Sequence, residues 1–494
     1  MSRAVAGQSA SYSLVPELKQ MQQQLQTAFQ MFPDFVSREL PTEPTIGVYY
    51  LSNLVNGDLL LQELFHPLLQ AVGSMTPEQL AALLPICEQL PEPDWETMQK
   101  YILRGWTYVH LDGYPVGILA DTAKVRERSL MKPENESQIL GPQLGFSENL
   151  QTNVALIHQY LRHPDLCEIS MTLGNITQTD IRLIYISSRA DAAIVKHVHD
   201  KLQALALEAL IDTTILVQWM EDSPGSMFPQ VVTTERVDRA IFPLLEGKIV
   251  VAVDGSPHVM VAPSTFLDFF KSIEDYYARW IIGLFLRGLR IIAIGISFYA
   301  TAIYVAALTY HYEIIPQAVL VPLAQSRARV PFPPLVEALM LETIIQLLSE
   351  AGARLPTKVG QTMGIVGAIV IGQAAVQAGF TSNILIILVA LSALSSFTTP
   401  VLSMAFTVRI IRFPIIISAG ILGLFGMVFS TTLLVIHLLQ LSSAGHPYFY
   451  PPYAIKAKNK RDGILRIPFP MAPKRPVFAN MAENQKKGSP DIDE

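Results

Sequence analysis

Residues 291–310 read Ile-Ile-Ala-Ile-Gly-Ile-Ser-Phe-Tyr-Ala-Thr-Ala-Ile-Tyr-Val-Ala-Ala-Leu-Thr-Tyr, an uncharged run opened by Arg287 and Arg290 and closed by His311 and Glu313. At about 1.5 Å per residue, a helix of this length matches the roughly 30 Å hydrocarbon core of a bilayer, where backbone groups must be bonded within the segment. Basic flanks favour the inner side, so the run is expected to pass from inside to outside. Everything before it is then expected in the cytosol. The N-terminus, MSRAVAGQSASYSLVPELKQ, has no apolar core of a secretory signal.

This run divides the chain. Overall, 50% of residues are hydrophobic and 16% charged, with a mean hydropathy of +0.33, but most of the charge lies before Arg290. Between residues 291 and 441 long uncharged runs dominate. The formal net charge of -6 comes almost wholly from outside that region. The cysteines Cys87 and Cys167 are too few for a disulfide scaffold, and neither has zinc-ligand neighbours; a reducing compartment fits.

The polar half contains a duplication. Ile46-Gly-Val-Tyr-Tyr-Leu-Ser52 reads as a strand followed by an apolar helical pattern, and Ile181-Arg-Leu-Ile-Tyr-Ile-Ser187 repeats it before another. Each copy is followed by Leu-x-Gly-x6-Asp-Gly-x-Pro: Leu103, Gly105, Asp112, Gly113, Pro115, then Leu245, Gly247, Asp254, Gly255, Pro257. Asp-Gly between apolar strands predicts type I′ hairpins, which makes Asp112 and Asp254 turn residues rather than acids of a catalytic pair. His197 and His199 lie two apart on a helical pattern and face different ways, against a metal site.

Three further apolar segments follow, at 361–380, 384–408 (interrupted by Pro400) and 414–441. A fourth helical pattern, after Pro331-Phe-Pro-Pro334, carries Glu337 and Glu342; carboxylates at membrane depth must face protein or water, so this helix is buried, re-entrant or interfacial. Gly360, Gly364, Ala368 and Gly372, with Gly367 beside them, make a face of small side chains suited to close helix contact. Gln373 and Gln377 repeat at i, i+4 on an adjoining face and either line a water-filled path or bond to a neighbouring helix. The Gly420, Gly423, Gly426 run reads as packing. The basic tail, with a single acid between residues 456 and 475, favours a cytosolic C-terminus. The expected fold class is an α+β soluble region of two duplicated α/β lobes plus an all-α transmembrane bundle of four or five membrane helices. Its boundaries are a helical segment at 1–37, lobe 1 at 38–125, a linking segment at 126–169, lobe 2 at 170–285, the bundle at 286–441 and the tail at 442–494.

Several blocks in this frame resemble the A subunits of GerA-type spore germinant receptors: residues 128–136 (RSLMKPENE), 141–153 (GPQLGFSENLQTN), 228–239 (FPQVVTTERVDR), Val253-Asp-Gly255, 331–337 and 364–375. The resemblance runs from about residue 46 to 453. It departs at Lys132, where an acid usually precedes the proline, and at Val237, where proline is usual. The motif residues it marks are Glu136, Gly141, Pro142, Gly145, Phe146, Glu148, Asn153, Glu235, Arg236, Asp238, Arg239, Asp254 and Gly255. It implies a multi-pass protein of the spore inner membrane working with a transporter-like B subunit and a lipoprotein C subunit. It further implies homo-oligomerisation into a ring, a pentamer, acting as a nutrient-gated channel that releases monovalent cations. A related stage V sporulation paralogue shares these blocks.

Other functions find less support. A membrane-anchored scaffold or signalling subunit needs only the lobes and an anchor. A secondary transporter would use Glu337 and Glu342 as coupling carboxylates, but the membrane segments show no inverted repeat. No phosphate-binding glycine loop, nucleophile elbow, metal-ligand cluster or acid/base pair stands out, so neither an enzyme nor a cofactor is expected, and there is no nucleic-acid-binding signature.

Overall fold

The computed structural model describes residues 14–70, 76–85, 89–91, 93–115, 117–124, 133, 136, 138–354 and 372–449. Lobe 1 has helix α1 (Leu18–Ala28), strands β1 (Phe35–Leu40), β2 (Ile46–Leu51) and β3 (Gln89–Pro91), helix α2 (Trp95–Ile102), and strands β4 (Thr107–Leu111) and β5 (Ile118–Ala120). Lobe 2 repeats the plan with α3 (Leu150–Tyr160), β6 (Leu166–Leu173), β7 (Thr179–Ile186), α4 (Ala192–Gln203), α5 (Thr213–Met220), β8 (Val232–Thr234), α6 (Val237–Leu245), β9 (Ile249–Val253) and β10 (Val259–Ala262). The sheets have equivalent orders, β1-β2-β4-β5-β3 and β6-β7-β9-β10-β8. All their pairings are antiparallel.

The duplication extends to single bonds. Ile46 pairs with Leu111 and Ile181 with Val253. The Asp112 amide donates to Thr45 O and the Asp254 amide to Asp180 O. The Asp112 carboxylate accepts from Leu18 N at 2.9 Å and that of Asp254 from Leu150 N at 3.0 Å, so each aspartate holds the first turn of its lobe's leading helix. Thus α1 and α3 are counterparts, each packed with its own sheet.

Both sheet faces are covered. In lobe 1, Tyr49, Leu51 and Tyr108 meet α1 and α2, while Val48, Tyr50 and Val109 meet the helices of residues 57–70. In lobe 2, Val250 and Ala252 face α3 and α6, and Val251 and Val253 face α4 and α5. Double coverage explains why central strands such as Ile-Val-Val-Ala-Val (β9) are apolar throughout rather than alternating.

The hairpins expected at Asp112-Gly113 and Asp254-Gly255 form, but not as two-residue type I′ turns. In each, the glycine alone takes positive φ, 90° and 80°, and the connection is longer. The two-residue turn occurs instead at Ala444 (φ 49°) and Gly445 (φ 75°), between β11 (Ser442–Ser443) and β12 (His446–Pro447).

The C-terminal half is helical: α7 (Trp280–Thr309), α8 (Gln317–Arg327), α9 (Pro334–Arg354), a helical turn at 372–377, α10 (Asn383–Ser396) and α11 (Leu402–Gln440). Among the described residues, α7 and α11 are long and apolar enough to cross a membrane. Segmentation differs from the expected spans because the chain obeys geometry rather than hydropathy. Pro414 lies inside α11, which instead reverses at Gly423 (φ 62°, ψ -143°). The reversal brings Ser418 Oγ to 3.1 Å from Ser430 Oγ, a separation that a straight helix would stretch to about 18 Å at 1.5 Å per residue. Gly426 faces the Ser418 carbonyl, so a Cβ there would sit 2.1 Å from it, and Gly420 packs on Leu335. The glycine run is thus packing at its ends and a turn at its centre.

Cross-contacts give each helix a direction. Tyr310, at the end of α7, bonds to Ile421 O beside the reversal. Thr407 and His437, near the two free ends of the α11 hairpin, bond to Met227 O and Ser226 in lobe 2. Tyr304 bonds to Ser382, and Thr301 lies against Ser392, so α10 runs antiparallel to α7. α9 does likewise, with Glu337 near Ser382 and Glu342 bonded to Thr301. Both ends of the bundle, Trp280 and Gln440, are therefore at the lobes.

Candidate functional site

The residues singled out by motif converge on one junction. Arg236, 1% exposed, places Nε 3.0 Å and Nη2 2.8 Å from the Asp238 carboxylate. The same Nη2 donates to Pro142 O at 2.7 Å, and Nη1 to Glu136 O at 3.4 Å. Glu136 in turn accepts from Arg239 Nη1 at 2.9 Å and from the Thr234 hydroxyl at 2.6 Å. Gly145 bridges Arg236 through the backbone, and Phe146 N donates to Glu235 O. Phe146 itself is buried in the core beneath α3. Asn153 closes the following loop by accepting from Ser147 N and donating to Ser147 O, and Glu148 O accepts from Gly255 N. The buried Arg236–Asp238 pair is tolerated because each of its members meets several further partners.

The network leads to the bundle. Tyr277, three residues before α7, donates its hydroxyl to Asp238 at 3.0 Å, and its ring lies against Gly141. Burial and the neighbouring Asp238 push the Tyr277 phenol above its ordinary range. Two residues earlier, Asp275 is fully buried and accepts from Arg287 Nε at 3.5 Å and from Arg290 at 3.1 and 3.2 Å. Sequence reading took Arg287 and Arg290 as flanking charges only; the buried acid facing them carries no motif that would have marked it.

The other end of the bundle is also gripped. The hairpin after α11 lies on lobe 2: Ser442 Oγ and Gly445 N donate to Asp222 at 2.9 and 3.0 Å, Ser443 Oγ to Gln230 O at 2.6 Å, and Tyr448 OH to Pro229 O at 2.8 Å. Lys201 Nζ sits 2.9 Å from the same Asp222. Burial alone would raise this carboxyl, but the Gly445 amide, Lys201 and Ser442 outweigh it and hold it below its usual value.

A third cluster joins the lobes. Asp34 follows α1, His158 lies on α3 and Glu168 on β6; His158 Nε2 is hydrogen-bonded to Glu168 and its ring packs on Phe32. Burial, then the Glu168 charge, pushes Asp34 up to about 6. Burial opposes the charged form of His158, yet the bond and charge of Glu168, with Asp34 beyond, hold it above the ordinary histidine value. Beside this cluster a cleft of about 710 Å³ separates Met31 and Thr27 of lobe 1 from Cys167, Tyr185, Lys196 and His199 of lobe 2. Among the described residues, no group of His, Cys, Asp and Glu is arranged to hold a metal.

Within the bundle, Glu337 and Glu342 are 1% and 0% exposed. Glu337 accepts from Ser382 N at 2.7 Å and from Thr381 at 3.0 Å, with Arg327 at 3.5 Å. Glu342 accepts from Thr301 at 3.0 Å and pairs with Arg412 at 3.2 Å. Both are buried helix-joining groups. Gly372, Gln373 and Gln377 fall elsewhere: the two glutamines are exposed, and nothing among the described residues lies within 4 Å of a Cβ built on Gly372. Gly364, Gly367 and Ala368 lie outside the described residues.

Fold and junction together define a class of protein, a paired-lobe head bonded to both ends of an apolar helical bundle. The chain belongs to the Bacillus/Clostridium GerA spore germination protein family, whose profile matches residues 23–478. It is 39% identical over 472 residues to spore germination protein GerQA of Bacillus cereus, covering 95% of this chain and 94% of that one. It is 36% identical to spore germination protein KA of Bacillus subtilis (strain 168), covering 90% and 82%. The solved N-terminal domain of the A subunit of the Bacillus megaterium spore germinant receptor GerK3 aligns with a TM-score of 0.41 at 21% identity, over 52% of this chain and 98% of that one. The resemblance carried by the motif blocks is thereby borne out.

Proposed function

We propose that this chain is the A subunit of a spore germinant receptor and that copies of it form a ring-shaped, nutrient-gated channel in the spore inner membrane. The observation that carries the reading is the uncovered face of the turn at 372–377. Gln373 and Gln377 are exposed in the single chain on a helical turn without charge, set in a bundle of apolar helices. Amides facing hydrocarbon are costly, so this face is best satisfied by water or by another copy. A ring supplies both. The lobes are the input: displacing lobe 2 would pull on α7 through Asp275 and on the end of α11 through Asp222.

In this reading α7, α9, α10 and the two arms of α11 lie across the bilayer, and the lobe-side positions of Trp280 and Gln440 put the lobes and the end of α11 together on the cytosolic side. The resemblance supplies the B-type and C-type partner subunits, the pentameric number and the monovalent cation cargo. The transporter alternative is disfavoured by the partners of Glu337 and Glu342, since coupling carboxylates need access that neither has here. A scaffold role is the competing reading. Single-channel recording of the purified full-length protein in planar bilayers separates them: cation conductance altered by Gln377→Leu supports the channel, and a silent bilayer with intact oligomers rejects it.

A further inference from the structure

Arg409 is a charge that none of these networks uses. It is 7% exposed, its Nε donates to Ser396 Oγ at 3.1 Å, and its guanidinium carbon lies 4.5 Å from the Phe397 ring centre and 5.6 Å from that of Phe406. Among the described residues it meets no carboxylate. Arg412, one turn further along, is matched by Glu342. A guanidinium does not give up its proton, and a buried charge in an apolar bundle requires a counter-charge.

Three observations define the anion that would match it. The first is depth: Thr407, two residues earlier, bonds to Met227 O of lobe 2, and Ser396 is the last residue of α10, so Arg409 belongs to the lobe-side part of the bundle. Side chains lean towards the N-terminus of their helix, which for this arm of α11 is the lobe side, so the guanidinium reaches towards that boundary. The second is the surrounding surface. Leu394 (67% exposed), Phe397 (61%), Leu402 (59%), Phe406 (40%) and Ile410 (51%) form an apolar face on α10 and α11 around the arginine. The third is chemistry: a planar fork of donors fits phosphate oxygens two at a time, and its guanidinium carbon lies over the Phe397 and Phe406 rings.

We propose that Arg409 binds the phosphate of an anionic phospholipid in the lobe-side leaflet, with the acyl chains lying along Leu394, Leu402 and Phe406. The lipid supplies the charge that the chain lacks, and it joins α10 to the first arm of α11. The site rests on the bundle being membrane-embedded, but not on its being a channel.

The test uses full-length protein, purified in detergent and stripped of lipid, with dioleoylphosphatidylglycerol, dioleoylphosphatidylcholine and inorganic phosphate as separate probes. Native mass spectrometry counts bound lipid, and thermal unfolding follows stabilisation. Wild type is expected to bind phosphatidylglycerol about tenfold or more tightly than Arg409→Gln, the loss of one charge-assisted pair of hydrogen bonds, and to prefer it to phosphatidylcholine. Equal binding by wild type and Arg409→Gln overturns the proposal. Equal protection by inorganic phosphate also overturns it, in favour of a free-anion site. So does a loss of oligomers in Arg409→Gln with lipid binding unchanged, which would assign the counter-charge to a neighbouring copy. Should Arg409→Gln not accumulate, Arg409→Lys retains the charge without the fork; its affinity is expected to fall, and an unchanged value rejects the site. Release of wild type from membranes by alkaline carbonate would sink the embedded reading itself, an outcome distinct from every failure of Arg409.

Discussion

At the scale of single residues, the cluster of Asp34, His158 and Glu168 links the lobes through charge. Asp34 titrates near 6 in the folded chain against an ordinary value of 3.8. Between these values the folded state keeps a proton that the unfolded chain has lost, so this contribution to stability falls as pH rises from about 4 to about 6. His158 is raised, so its contribution is full below the ordinary histidine value and is lost as pH climbs through the higher folded one. Hydrogen exchange at the Glu168 amide, which bonds to Met31 O across the lobes, is expected to quicken with pH beyond its intrinsic rate. Asp34→Asn should flatten the lower part of that profile by an amount on the order of 2–3 kcal/mol. Identical profiles in the variant and wild type would show that the cluster does not control the junction. None of this was legible beforehand. His158 looks like any histidine on an amphipathic helix; Glu168 lies ten residues on, in a strand with no motif to mark it, and Asp34 belongs to the other lobe.

At the scale of elements, two glycines fix the paths of the chain. Gly141 has φ 103°, and a Cβ there would lie 2.5 Å from the Tyr277 ring. Gly141→Ala is expected to cost about 1–3 kcal/mol and to displace Tyr277 from Asp238. The readout is the thermal midpoint of Gly141→Ala alone and in a Tyr277→Phe background; an unshifted midpoint would remove the linker from the coupling path. Gly423 has φ 62°, with His311 Nε2 2.8 Å from where a Cβ would be. Gly423→Val should prevent the hairpin reversal of α11 and expose residues 442–448 to protease, whereas full protection would mean that the turn tolerates a side chain. Sequence reading marked both positions, Gly141 as motif and Gly423 as packing. Neither conformation was readable, because a glycine's φ is set by where the flanking elements must go.

At the scale of the whole molecule, lobe 2 holds the first and last helices of the bundle, so both ends of the bundle, Trp280 and Gln440, share one side. With Cys87 and Cys167 replaced by serine, impermeant maleimide should label Asn175→Cys and Lys456→Cys from one face of sealed vesicles and Tyr312→Cys from the other. Labelling of Asn175 and Lys456 from opposite faces would contradict the proposed arrangement with both ends of the bundle on one side. The same architecture buries Glu337 and Glu342 of α9 inside the bundle and leaves the glutamine face outside it.

By itself the sequence determined the division into a charged head and an apolar bundle, the duplication of the head and the family, because hydropathy, strand period and motif spacing are local properties of the chain. It also picked out Glu136, Arg236, Asp238 and Arg239 of the junction, though not their roles, and did not mark Tyr277 or Asp275. Only the tertiary structure decided that Arg236, Asp238, Glu136 and Tyr277 form one network, that α11 turns back at Gly423, that Glu337 and Glu342 are paired and that Arg409 is not. Pairing of charges depends on which helices become neighbours, and in an apolar bundle many neighbours are equally compatible with the hydropathy of each segment.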